Sequence, residues 1–208
     1  MRYDLNARIF PLLFDRSSMR FLQEKKCYGI SDIKKKIHRV YKEMIIRTPG
    51  LPKDDDLAGN LYTGCYVLSV YKACEGKMPE ADFRDLVTAL CHCNAMEKAH
   101  QKISAFSAEQ LQKKRKGAES SVKSTAVMGW KYTFNYDEGA KFYDLTYHQC
   151  GLCALGKQEG LEHLIRHLCL ADYITLEMMG AKLTRTQTLA EGGSCCDFHV
   201  EKKEEIRS

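Results

Sequence analysis

A chain of 208 residues, 44% hydrophobic and 28% charged, is long enough to bury a core and too apolar to stay disordered. It reads as one domain over residues 1–208. Its formal net charge of +5 gathers largely in KKKIHR (34–39) and KKRK (113–116), runs without interleaved aromatics, so a solvated helix face and a surface connection explain them without nucleic acid. No apolar run approaches the roughly 20 residues that cross a bilayer, and the N-terminus MRYDLNARIFPLLFDR lacks the apolar core and cleavage site of a secretory signal, so a cytoplasmic protein without membrane contact is expected.

In that compartment ten cysteines point away from a disulfide framework and toward free thiols, metal ligands or a nucleophile. Cys65 and Cys74, inside an apolar run, read as small hydrophobes.

The first 110 residues are predicted to be mainly helical. SDIKKKIHRVYKEMIIR places Ile33, Ile37, Val40, Tyr41, Met44 and Ile45 at helical spacing, with Ser31 or Asp32 as N-cap. TPGLPKDDD ends that helix, and the aspartates at 54–56 suit the start of the next, which runs through Cys74. A third is expected from Ala81 through Ser104. The polar run at 107–125 is expected to begin helical and end as an exposed connection.

Residues 125–208 change period. GWKYTFNYDEGAKFYDLTYHQC alternates aromatic and polar residues around DEGA, a hairpin signature. KQEGLEHLIRHLCLADYITLEMMG is helical, with a break near Cys169 and Gly180 as C-cap. AKLTRTQTLAEGGSCCDFHVEK is a second hairpin, with Leu183, Arg185, Gln187 and Leu189 on one face. The expected fold is α+β: a helical N-terminal half packed on a roughly four-stranded antiparallel sheet from the C-terminal half.

Four groups of side chains are chemically capable. Cys150 and Cys153 have Cys-x-x-Cys spacing after a strand, beside His148, which suits zinc or a redox pair. Cys195, Cys196 and His199 could complete a zinc site, although adjacent cysteines on a strand face opposite ways and only one can join. Cys169 and Asp172 share a helix face; a buried thiol and a surface acid explain that spacing equally. Arg185 and Asp197 fall on opposite arms of a hairpin, to pair with each other or to face a shared ligand. Gly192 and Gly193 are turn residues, and Cys91–Cys93 reads as mid-helix packing. Spacing alone yields a thiol-rich site and no reaction.

The ordered set of Cys150, the Cys-x-x-Asp of Cys169 and Asp172, Arg-Thr-x-Thr-Leu-Ala (Arg185–Ala190) and Gly-Gly-x-x-Cys-Asp-Phe (Gly192–Phe198) resembles the C-terminal signature of the L-2-amino-thiazoline-4-carboxylic acid hydrolase family. The likeness covers roughly residues 143–198. It implies hydrolytic opening of a cyclic thiazoline bearing an amine and a carboxylate, giving a carbamoyl-cysteine. On that resemblance Cys196 and Cys150 are the expected nucleophiles, with a carboxylate-activated water as the alternative, and Asp197 or Asp172 favours the protonated amidine. Arg185 binds the substrate carboxylate, with Cys169, His148, Gly193 and Thr186 around it. A small-molecule substrate is implied, no cofactor is called for, and a homo-oligomer is left open. Two alternatives stand: a non-catalytic sensor holding a small ligand or metal in the same thiol-rich pocket, and a zinc- or cluster-stabilised interaction protein.

Overall fold

The computed structural model describes residues 1–25, 32–52, 55 and 57–204. Ser31, Asp54 and Asp56 lie outside them; Asp32 holds the N-cap position of the second helix but makes no side-chain cap bond there.

Helix α1 (Leu5–Lys25), α2 (Ile33–Arg47) and α3 (Ala58–Ala73) open the fold. In α2 only one stripe is buried, Ile33, Ile37, Tyr41, Met44 and Ile45, as its periodicity requires. α3 instead buries every residue from Gly64 to Val70 and forms the centre of the helical half. Tyr41 on α2 donates its hydroxyl to the Ala7 carbonyl at 2.8 Å, fixing α1 against α2.

The single helix expected over 81–104 is two, α4 (Glu80–Cys91) and α5 (Asn94–His100). The chain turns extended at Cys93 (φ −69°, ψ 146°), which lets both Cys91 and Cys93 bury. Thus 91–93 is a helix junction rather than a mid-helix run. The polar segment after 107 is also more regular than expected. It forms α6 (Ala108–Lys123), capped by Ser107 and held to the sheet where the Ser121 hydroxyl meets the backbone N–H and carbonyl of Tyr132. A buried hydroxyl that satisfies strand backbone turns a charged sequence into a docked helix.

The C-terminal half supplies β1 (Lys131–Asn135), β2 (Phe142–Gln149), β3 (Ala181–Thr184) and β4 (Cys196–Lys202), an antiparallel sheet in the order β1-β2-β4-β3. The fold is α+β, as the sequence predicted. Between β2 and β3 run α7 (Gly151–Glu159), α8 (Glu162–Leu168) and α9 (Leu170–Met178). Gly160, at φ +67°, closes α7 and adds an earlier break to that run, and the expected break falls at Cys169.

The pleat sorts the sheet into two faces. Tyr143 and Leu145 of β2, Ala181 and Leu183 of β3, and Cys196, Phe198 and Val200 of β4 are buried toward the helices. Asp144, Thr146 and His148, with Asp197, His199 and Glu201, point the other way, where His199 Nδ1 pairs with Asp144 at 2.7 Å.

One buried charge cluster locks α7 onto the helical half. Glu159, its side chain 1% exposed, accepts from Arg47 Nε at 2.8 Å and Lys72 Nζ at 2.6 Å. Those bonds reach α2 and α3 from the far end of the helix that begins beside Cys150. No helix among the described residues is long and apolar enough to cross a membrane.

Candidate active site

Cys150 is the last residue before α7 and occupies its N-cap position. Gly151 permits this junction, because a Cβ there would strike the Met128 carbonyl. The Cys150 sulfur lies near the N–H groups of Leu152 and Cys153 without completing a formal capping bond. The Cys153 thiol donates to it and holds its pKa below the usual thiol range; burial opposes that, and the two backbone N–H groups add to it. The same hydrogen bond, with burial, pushes the Cys153 thiol up.

Two other thiols stand within electrostatic reach of Cys150. Burial and the neighbouring Asp172 push the Cys169 thiol up. Burial also raises Cys196 to about 11, although it accepts the Leu189 N–H at 3.2 Å. Among these four sulfurs, Cys150 alone has surroundings that favour the thiolate.

Arg185 and Asp172 complete the cluster. The register that pairs Thr184 with His199 on the outer face turns Arg185, one residue on, inward. Strand β3 has ended by then, so Arg185, Gln187 and Leu189 belong to a connection rather than to the strand face assigned to them. Arg185 Nη1 donates to Asp172 Oδ2 at 3.0 Å and Nη2 to the Cys169 carbonyl at 2.8 Å. The guanidinium carbon lies 4.6 Å from the Tyr173 ring centroid and 5.2 Å from that of Phe198. The Arg185 side chain is 6% exposed, and two of its five N–H donors are used within the chain.

Asp172 is embedded in protein, and burial raises its pKa against the lowering influence of Arg185. Yet 42% of its side chain is accessible, and it faces a solvent-open cavity of about 200 Å³ lined largely by the helical half. Phe14, Val67, Leu90 and Leu152 are among its apolar walls, and Asn60, Thr63 and His100 also line it. Gly64 lies on the same wall; a Cβ there would run into Leu152, two residues beyond Cys150.

The remaining expected site residues lie elsewhere. Asp197 follows Cys196 on β4 and so points to the outer face. Its carboxylate accepts the Thr186 N–H at 3.0 Å, the Thr186 hydroxyl at 2.5 Å and the Gln187 N–H at 2.8 Å. Burial works against the charged form, but these bonds outweigh it and hold Asp197 below the usual carboxylate range. Asp197 therefore pairs neither with Arg185 nor with a group shared with it. Gly193 donates its N–H to Thr188 at 2.9 Å in the same loop, and His148 is exposed on the outer face. The structure thus gathers Cys150, Cys153, Cys169, Cys196, Asp172 and Arg185, and separates Asp197, Thr186, Gly193 and His148 from them. No group of three or more His, Cys, Asp or Glu among the described residues is arranged to hold a metal ion.

A family model described as L-2-amino-thiazoline-4-carboxylic acid hydrolase matches residues 61–200. The chain belongs to that family. No curated protein and no solved structure gives a significant match. The match to this hydrolase family begins inside α3 and ends in β4, so it takes in much more than the late motifs. It includes Thr63, Gly64, Val67, Leu90 and His100 of the cavity wall, while α1 and α2 precede it. Sequence reasoning passed over those cavity residues because each is ordinary by itself. Gly64, a lone glycine in a run of buried apolar residues, was the one local signal of a close approach.

Proposed function

We propose that this member of the family is a cysteine-dependent hydrolase that opens a small cyclic amidine acid of the 2-amino-thiazoline-4-carboxylate type to a carbamoyl-cysteine. The observation that supports this reading most is the placement of Cys150 at the start of α7, hydrogen-bonded by a second thiol and within electrostatic reach of Asp172, which Arg185 holds.

The Cys150 thiolate adds to the ring carbon between sulfur and nitrogen. The ring C–S bond then breaks, and the released sulfur takes up a proton to become the product thiol. Once Cys150 is bonded to carbon its charge no longer raises Cys153, which donates that proton and recovers one from the water of the next step. Water adds to the carbon held on Cys150, the Cys150–carbon bond breaks, and the carbamoyl group remains on the product nitrogen. Asp172 favours the protonated, more electrophilic amidine, and Arg185 acts as a positioning residue that keeps Asp172 and the Cys169 carbonyl in place.

Incubation with the L-thiazoline amine acid at catalytic enzyme concentration tests this, reading release of the new thiol. Turnover that disappears in Cys150→Ser and persists in Cys196→Ser is expected. Full turnover by Cys150→Ser refutes the thiolate mechanism. A rise in melting temperature without turnover would favour the sensor reading instead.

A further inference from the structure

The helical half has so far only covered the sheet and completed the walls of a cavity. That cavity, about 200 Å³, is a cleft open to solvent on one side and so accessible to a small ligand. Most of its wall is apolar, suited to the carbon and sulfur edge of a small ring. Apart from the Cys91 thiol, two side chains lining it can carry charge, Asp172 and His100.

Each of these is half engaged. Asp172 Oδ2 is taken by Arg185, whereas Oδ1 accepts no hydrogen bond among the described residues. His100 Nδ1 is held by the Met96 carbonyl at 2.8 Å, which makes that nitrogen the donor and leaves Nε2 for another partner. The Thr175 hydroxyl is spent on the Ala171 carbonyl at 2.7 Å. Arg185 does not line this cavity, and its two terminal nitrogens already donate to Asp172 and the Cys169 carbonyl.

We infer that this cavity is the substrate pocket, with the ring amidinium on the free oxygen of Asp172 and the substrate carboxylate accepting from Nε2–H of His100 in its doubly protonated form. This rests on the hydrolase reading and deepens it by naming the two charge-selective ends. Asp172 then holds Arg185 on Oδ2 and the amidinium on Oδ1, and the ring carbon has to reach Cys150 past Leu152, which lines the cavity where Cys150 does not. Gly64 belongs to the same design, because its missing side chain lets Leu152 close the wall next to Cys150. The ligand class is a small, flat, zwitterionic ring with an apolar edge.

Calorimetric binding to Cys150→Ser protein, which is expected to hold substrate without turning it over, tests the assignment with two probes. One is the L-thiazoline amine acid; the other is 2-amino-2-thiazoline, which has the amidine and no carboxylate. Adding His100→Gln is expected to weaken the acid by at least about tenfold while leaving the carboxylate-free ring within about twofold. Adding Val67→Phe, whose ring would fill the void, is expected to abolish binding of both. Equal losses for both probes with His100→Gln, or undiminished binding with Val67→Phe, overturns the pocket. Unchanged KM for the acid in His100→Gln and Val67→Phe enzymes that retain Cys150 overturns it too, and leaves the hydrolase reading standing. A wild-type protein that neither binds nor cleaves the acid overturns both.

Discussion

Arg185 and Asp172 are joined by a 3.0 Å contact that links the loop after β3 to the first turn of α9. The same guanidinium reaches the carbonyl of Cys169, the residue at the junction of α8 and α9. One buried cation thereby fixes the acid, one thiol's backbone and the end of a strand.

Arg185→Ala should therefore cost about 2–4 kcal/mol, toward the lower end because Asp172 opens onto a cavity rather than closed core. Arg185→Lys should recover little of it, since one ammonium cannot span both acceptors and keep the ring contacts. Asp172→Asn should cost less than Arg185→Ala, because burial already works against the charged carboxylate. Urea titration followed by Trp130 fluorescence gives all three; equal losses would contradict the asymmetry.

Cys150 should alkylate fastest. At pH 7.5 iodoacetamide is expected to label it at least about tenfold faster than Cys169 or Cys196, both of which burial holds protonated. Peptide mass spectrometry over a time course reads the order directly. Cys196 reacting first would reverse the thiolate assignment.

Asp197→Asn should behave as a loop mutation. Losing the charged acceptor for Thr186 and Gln187 is expected to cost about 1–2 kcal/mol in a half-exposed site. The labelling rate of Cys150 should stay within about twofold, because Asp197 lies across the sheet from it. A large change in that rate would bring Asp197 back into the site.

Gly151→Ala should cost about 2 kcal/mol or more, since a methyl group cannot pass the Met128 carbonyl without moving the start of α7. The same shift should slow labelling of Cys150. Wild-type stability together with wild-type labelling would show that the junction has slack.

Acid should find Glu159. Arg47 and Lys72 outweigh its burial and hold its pKa at about 2, below the ordinary value of 4.5. Its stabilising contribution is complete above about pH 4.5 and is lost as pH falls toward 2. That window corresponds to about 3 kcal/mol. Denaturant titrations from pH 6 to 2 should show a steeper fall for wild type than for Glu159→Gln. Parallel curves would place the acid sensitivity elsewhere.

The amphipathic stripe of α2 and the alternation of β1, β2 and β4 were legible in the sequence because periodicity reports which face is buried. Parity also showed that only one of Cys195 and Cys196 could face inward. It could not say which, since that depends on the register that sets Cys196 opposite Tyr147. The break at Cys93 and the full length of α6 were hidden for a similar reason. Each is decided by what the segment packs against, and its local composition is unremarkable for either outcome.

The sequence by itself determined the α+β class, the late motifs and the family, because these follow from local periodicity and from ordered residue types. Only the tertiary structure decided that Arg185 turns to Asp172 and away from Asp197, that Cys150 heads a helix, and that the early helices line a cavity in front of Asp172. A strand's pleat fixes the side on which a residue emerges, but its partner is whatever the folded chain brings to that side.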